Sequence, residues 1–259
     1  MSFTYNINIL INIRYIIPNW AICQLITILK YLFQSFIDIF TVYFELKMKN
    51  QHILSITILV LIGLVAPGKC NNLNEKEAAK VNITLYYETR CPDCIRYDTQ
   101  TLYPTYKLLQ DIMNIQFIPY GKANTTAKPD GFTFICQHGP TECLGNMVHA
   151  CAIQYVELPI LADYINCMTK ISEDPINAGK TCSESLSLPW TKIQKCVSTL
   201  EGEILLAQYG EITHALTPKL TSVPTVELNG SQDNQDALIN DLKGSVCSAY
   251  TGVKPSACT

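Results

Sequence analysis

Between residues 81 and 120 the hydrophobic and polar positions change period from strand to helix and back. Val81, Ile83, Leu85 and Tyr87 are apolar at every second position, the alternation of a strand with one buried face. Beyond residue 94 the stripe becomes Ile95, Thr99, Leu102, Tyr106, Leu109 and Met113, in steps of four and three, which places these side chains on one face of a helix. Asn114 to Tyr120 then reads as a second short strand ending near Gly121, and polar, turn-prone residues from Lys122 to Gly131 predict a loop. Apolar positions at Leu144, Met147, Val148, Cys151, Ala152, Tyr155 and Val156, then at Ile160, Leu161, Tyr164, Ile165 and Met168, predict helices over Cys143–Lys170 broken near Pro159. A looser stretch through Pro175, Gly179 and Pro189 leads to a helix from Trp190 to Tyr209. Thr225 to Leu228 is a proline-led strand, Asn229-Gly230 a hairpin turn, and Asp236 to Leu242 a final helix.

Two thiols stand where the first strand gives way to the first helix, in the run Cys91-Pro92-Asp93-Cys94. Cys91 falls at or just before the helix start, and Pro92 fits the first helical position, where its missing N–H would have had no partner. Helix N-terminal amides favour a thiolate, so Cys91 is the expected nucleophile. Cys94, one turn further in, is the expected resolving thiol that attacks the mixed disulfide. Asp93 opposes the thiolate by its charge while suiting the helix start. The competing readings of the pair are a structural Cys91–Cys94 disulfide and half of a metal site. A Cys-x-x-Cys pair in this strand-to-helix context reads as thioredoxin-like, and the order of elements then predicts an α/β, thioredoxin-like fold with an inserted, disulfide-stapled helical subdomain over about residues 122–221. In such a fold a proline, usually cis, precedes a sheet strand and faces the thiols. Pro224 fits that place, leaving the backbone of Val223 free to pair with an extended substrate peptide.

The N-terminal third changes the compartment. Residues 1–47 are rich in Ile, Tyr and Phe, but Lys30 and Asp38 interrupt the span Ala21 to Phe44 and weaken a membrane-crossing reading. Met48, Lys49, the apolar run Ile53 to Val65 and the small residues Ala66-Pro67-Gly68 form a cleaner pattern, that of a secretory signal over residues 48–68. The expected mature domain is therefore 69–259. The upstream 47 residues are read as an artefact of the gene model, with a membrane anchor as the alternative. Three acceptor triplets, at Asn82, Asn124 and Asn229, agree with a secreted glycoprotein. The chain has 259 residues, is 48% hydrophobic and 16% charged, and carries a net charge of -3 without a basic run, which argues against nucleic acid as a partner. Of its 12 cysteines, Cys23 precedes Met48. The rest imply an oxidising compartment and a disulfide framework, and setting aside the redox pair leaves an odd number, with Cys70 as the candidate for the odd one.

A second constellation runs from Cys136 to Cys151: Cys136-Gln137-His138-Gly139, two residues, Glu142-Cys143, two residues, Asn146, four residues, Cys151. It resembles, position for position, the signature of the gamma-interferon-inducible lysosomal thiol reductase (GILT) family. The segments Leu-Tyr-Tyr-Glu before the thiols, Pro-Tyr-Gly-Lys-Ala at 119–123 and Val-Pro-Thr-Val at 223–226 are also similar to that family, in its order. The resemblance covers roughly residues 80–258. Pro92-Asp93 departs from the Gly-containing pair of mammalian members, which leaves the activity class intact and the potential and pH optimum open. It implies reduction of protein disulfides in a secreted or lysosomal setting, with an external small-molecule or protein thiol to regenerate the dithiol and no cofactor or metal. Disulfides are the expected state of Cys136, Cys143 and Cys151, zinc completed by His138 or His149 being the alternative. Gln137, His138 and Glu142 are expected to cap and brace the helix that follows. A secreted oxidase or isomerase using the same thiols, and a cysteine-rich binding protein without activity, are the rival readings.

Overall fold

The structure, a computed structural model, describes residues 78–171 and 174–259. The upstream segment, the secretory signal and Cys70 lie outside the described residues. Strand β1, Val81–Tyr87, is the middle of a three-stranded sheet. It pairs in parallel with β2, Met113–Pro119, from Val81↔Met113 to Tyr87↔Pro119, and antiparallel with β5, Thr225–Leu228, through Leu85↔Val226 and Tyr86↔Thr225. The alternation works as expected on one face: Val81, Ile83, Leu85 and Tyr87 are all buried. Tyr86, on the other face, is also buried, against Ile118 and Leu216, so the C-terminal end of β1 is covered on both sides.

A parallel β1–β2 pair needs a crossover, and the helix that supplies it is not regular. It runs as α1, Pro92–Tyr97, a π-helical turn Asp98–Leu102, and α2, Tyr103–Leu109. Pro104, which has no N–H to give the ladder, stands two residues past the end of the wide turn, after Tyr103. The extra residue in that turn shifts the buried face. After it, Leu102, Tyr106 and Leu109 point inward as the periodicity predicted, but before it the inward residues are Cys94, Tyr97 and Asp98 rather than Ile95 and Thr99. Met113, the last residue of the predicted stripe, begins β2 instead.

The stretch predicted as a loop at 122–131 is in part a hairpin of β3, Asn124–Lys128, and β4, Gly131–Ile135, turning at Pro129-Asp130. Strand β3 is exposed and polar, which hid its strand pattern, while β4 alternates only the half-buried Phe132 and Phe134 around Thr133, too short a run to stand out. Five helices follow: α3 Pro140–Tyr155, α4 Ile160–Lys170, α5 Pro175–Ser185, α6 Trp190–Val197 and α7 Leu200–His214. Helix α5 replaces the predicted loose stretch, and Asp174 caps it by accepting hydrogen bonds from the amides of Ile176 (3.1 Å) and Asn177 (3.2 Å). The single helix expected from Trp190 to Tyr209 is two. The hydroxyls of Ser198 (3.1 Å) and Thr199 (2.9 Å) both donate back to Lys195 O, and such local bonds compete with the helical ladder. At the other end of the chain α8, Gln235–Asn240, stops at Asp241, whose side chain accepts from Gly244 N (3.0 Å) and starts an unanticipated α9, Leu242–Ala249.

One core joins these parts. Ile83 and Leu85 of the sheet, Leu102 and Leu109 of the crossover, and Val148, Ile165 and Ile193 of the inserted helices belong to a single buried cluster. Among the described residues there are four disulfides: Cys136–Cys143 closes the loop before α3, beside a smaller cluster, Cys151–Cys196 joins α3 to α6, Cys167–Cys182 joins α4 to α5, and Cys247–Cys258 holds the C-terminal tail to α9. A strand, a Cys-x-x-Cys helix, a parallel strand and a proline-led antiparallel strand, with helices inserted between the last two, make a thioredoxin-like α/β fold.

Removing the Cys151–Cys196 bridge is expected to cost more than removing any other. It closes the longest loop, with a sequence separation of 45, and both sulfurs are fully buried. The chain-entropy model puts such a loop at about 4 kcal/mol. For a domain of this size that amounts to a drop in Tm of about 8–16 °C in the C151A/C196A double variant, read by thermal unfolding. A drop of no more than a couple of degrees would mean that α3 and α6 are held by packing alone.

Candidate active site

The register of the sheet sets the position of the thiols. Tyr86 pairs with Thr225, so the peptide before β5 runs beside the turn Glu88–Arg90 that leaves β1. Cys91 follows that turn in extended conformation at the N-cap of α1, its N–H donating to Glu88 O at 3.4 Å and its carbonyl accepting from Ile95 N at 3.0 Å. Its thiol lies 3.9 Å from Val223 O, and the Val223–Pro224 peptide is cis. Cys91, Cys94, Val223 and Pro224 are thus brought together. Both thiols are free, so the pair is not a structural disulfide here. A cleft of about 310 Å³ opens next to them, between Asp93, Arg96 and Gln100 of the first helix and Pro224 and Asn240.

The two thiols are driven apart in acidity. The hydrogen bond from the Cys94 thiol, with help from the amides of Cys94 and Asp93, brings Cys91 down to about 6, against the opposing effects of burial and the Asp93 charge. For Cys94 the same hydrogen bond stabilises the protonated form, and burial adds to it, so its pKa rises far above that of an ordinary thiol. Near neutral pH one proton is held between the two sulfurs and the negative charge rests on Cys91.

The signature sits directly behind this turn. Glu142, fully buried, accepts from Arg90 N (3.3 Å), from His138 N (3.0 Å) and from His138 Nδ1 (2.6 Å). Asn146, also fully buried, accepts from Thr89 N (3.0 Å) and Thr89 Oγ1 (2.8 Å), and the same hydroxyl reaches Glu142 O at 3.2 Å. Gly139 stands at φ 84°, in the region that favours glycine, and turns the loop closed by Cys136–Cys143 into α3. Cys151 is in its disulfide with Cys196, so neither it nor the Cys136–Cys143 pair offers a thiolate for zinc. Of the three residues expected to cap and brace α3, Glu142 bonds back to His138 and across to the thiol turn, whereas Gln137 is exposed and the N-cap, Gly139, has no side-chain cap.

Three residues near the thiols carry no motif of their own. Glu88, buried, has Oε1 accepting from Lys122 N (2.7 Å) and Oε2 3.5 Å from His138 Nδ1; burial pushes its carboxyl up to about 6. Gly121, at φ 60°, lies so close that a Cβ there would overlap the Glu88 side chain. His149, buried, shares a 2.7 Å hydrogen bond between its Nδ1 and the Tyr87 hydroxyl, and burial lowers its pKa to about 3, so the ring is neutral. Asp98, buried in the π turn, accepts from Asn166 Nδ2 at 3.0 Å and is pushed up to about 6 by burial. An acidic residue interrupting the apolar run just before Cys91 was a signal for Glu88; His149 stood out only as a possible zinc ligand, and Asp98 had no signal in the one-dimensional pattern. The nitrogen of His138 and the carboxylates of Glu88 and Glu142 lie within 4.8 Å of one another, and the 2.6 Å contact among them is that of a hydrogen bond, joined by a proton. The acceptor residues Asn82, Asn124 and Asn229 are all exposed.

The family model described as gamma interferon inducible lysosomal thiol reductase (GILT) matches residues 82–186. GILT-like protein 1 of Drosophila melanogaster is 37% identical over 199 residues, which span 70% of this chain and 79% of that protein. A gamma-interferon-inducible lysosomal thiol reductase of Carassius auratus is 39% identical over 186 residues, spanning 70% and 73% respectively. Among solved structures, BdbD from Bacillus subtilis in its oxidised form aligns with a TM-score of 0.48 at 13% identity, over 66% of this chain and 88% of that one. With identity above a third across most of two such relatives, and a free dithiol at the head of the crossover helix, the chain belongs to the GILT family of thiol-disulfide oxidoreductases.

Proposed function

We propose that the protein reduces disulfides in other proteins, with Cys91 as the attacking thiolate and Cys94 as the resolving thiol, in an acidic compartment of the secretory route. The Cys91 thiolate attacks one sulfur of the substrate disulfide. A mixed disulfide forms and the other substrate sulfur leaves as a thiolate that takes up a proton. Cys94, giving up its proton, then attacks Cys91 Sγ, the Cys91–Cys94 disulfide forms, and the second substrate sulfur departs. An external thiol, oxidised in turn, returns the pair to the dithiol. The observation that carries this reading is the opposite displacement of the two acidities, Cys91 down to about 6 and Cys94 up. The carbonyl of Val223, next to Cys91, is placed to accept a hydrogen bond from the backbone of a substrate peptide lying along the cleft.

Acid favours reduction over oxidation by the same pair. A thiol depressed to about 6 stabilises the dithiol form above that pH, by about tenfold at pH 7, and so makes the pair more oxidising there. As pH falls through 6 the thiolate is protonated and that contribution disappears, so that relative to an ordinary substrate dithiol the pair becomes the more willing to give up its electrons. Relatives named as lysosomal thiol reductases, from Carassius auratus and Mus musculus, agree with an acidic destination.

Trapping tests the assignment. Cys94→Ser leaves an attacker without a resolver, so incubation with a disulfide-bonded protein at pH 5 is expected to yield a covalent adduct at Cys91, seen on a non-reducing gel and released by dithiothreitol. An adduct that forms equally with Cys91→Ser would reverse the roles.

A further inference from the structure

Each residue of the short turn before Cys91 is held by the signature. Glu88 meets His138 at 3.5 Å, Thr89 is bonded twice to Asn146 Oδ1 and once to Glu142 O, and Arg90 N donates to Glu142 Oε2. These partners come from residues 50 or more positions further along the chain, and none touches a thiol or the cleft. Two of the three charged members are carboxylates that are fully or almost fully buried, and Glu88 Oε2 has no hydrogen-bond donor. Buried like charges are costly unless a cation compensates them, and the side chain placed to supply one is His138, 37% exposed at the mouth of the cluster, 2.6 Å from Glu142 Oε2 and 3.5 Å from Glu88 Oε2.

We propose that His138, Glu142 and Glu88 are positioning residues for the dithiol: Glu142 fixes the turn that presents Cys91, and His138 neutralises the carboxylate charge that would otherwise oppose its thiolate. This rests on Cys91 being the nucleophile. The groups facing Glu88 are the amide of Lys122 after β2, His138 and Glu142 from the signature, and Cys91 and Cys94 from α1; Asp93 adds its charge at Cys91. With all three ionised the cluster carries one net negative charge. Removing His138 doubles it, removing Glu88 cancels it, and removing both restores it. In acid the Glu88 carboxyl, raised to about 6, takes up a proton and its opposition to the thiolate ends.

The test is the pH profile of iodoacetamide alkylation after mild reduction, with the labelled thiol identified by peptide mass, in wild type, H138Q, E88Q and H138Q/E88Q. About half of Cys91 is thiolate at pH 6, so E88Q is expected to speed labelling there by no more than about twofold, and H138Q to slow it about three- to tenfold. The double variant is expected to return close to wild type, a rescue that damage to the fold would not produce. Thermal unfolding and an intact Cys136–Cys143 disulfide check that each variant is folded; should H138Q fail to fold, E88Q alone decides, by moving the profile to lower pH or not. Unmoved profiles with the label on Cys91, or a double variant no faster than H138Q, overturn the positioning role alone. A label on Cys94 overturns the nucleophile assignment and this role with it.

Discussion

Replacing Cys91 with serine is expected to abolish disulfide reduction, by on the order of a thousandfold or more, as removal of an attacking nucleophile does elsewhere. The substitution exchanges one atom at a site 6% exposed, so the fold is not at stake and Tm should move little. What is lost is, among the described residues, the only sulfur that combines a lowered pKa with contact to the Val223 carbonyl. Cys94 is no substitute, since it is 2% exposed and its thiol is held protonated. The measurement is steady-state reduction of a disulfide-bonded protein at pH 5 with excess external thiol. If Cys91→Ser keeps a tenth or more of the wild-type rate, Cys94 can attack unaided and the division of labour is wrong.

The second large effect is on pH dependence, and its sign changes along the scale. At pH 5 a thiol of pKa about 6 is about 10% ionised, against about 0.03% for an ordinary one near 8.5, an advantage of about 300-fold. Nucleophilicity falls with basicity, with a slope near 0.45, which takes back about 13-fold. Cys91 should therefore be alkylated about twentyfold faster than free cysteine at pH 5. Above about pH 7.4 the order reverses, because ordinary thiols ionise while keeping their greater intrinsic reactivity. Competition for iodoacetamide between the reduced protein and free cysteine, from pH 4 to 9, reads both limbs. A Cys91 rate at pH 5 no greater than that of free cysteine would show that the hydrogen bond from Cys94 does not lower its pKa.

What was legible in the sequence was what neighbours in the chain decide. The alternation Val81 to Tyr87, the thiols that end it and Pro92 at the first helical position are local, and the strand, the turn and α1 follow from them. The helix stripe was read one residue out of register at Ile95 and Thr99, because Pro104 acts on the turn before it through the ladder rather than through hydrophobicity. The break at Ser198-Thr199 and strand β3 were missed for related reasons: side-chain bonds to the backbone and a polar strand leave the apolar periodicity unchanged, and β4 adds only the short alternation Phe132-Thr133-Phe134. At the site, Cys91, Cys94 and Pro224 were evident as motifs. The purpose of Glu142 and Asn146 was not, since their partners Arg90 and Thr89 stand 52 and 57 positions earlier and only folding brings them together.

A protein that cuts disulfides while carrying four of its own among the described residues faces the hazard of consuming itself. Exchange requires the attacking sulfur to reach its target sulfur, so burial is a kinetic defence. Cys151 and Cys196 are inaccessible, and Cys182 shields the bond to Cys167 in the same way. The tie from Cys247 to the partly exposed Cys258 is the weakest guarded, yet it restrains only the last turn of the chain. Excess reductant should thus untie the tail first and leave the scaffold around Cys91 standing, which lets the enzyme work in the reducing milieu that regenerates it.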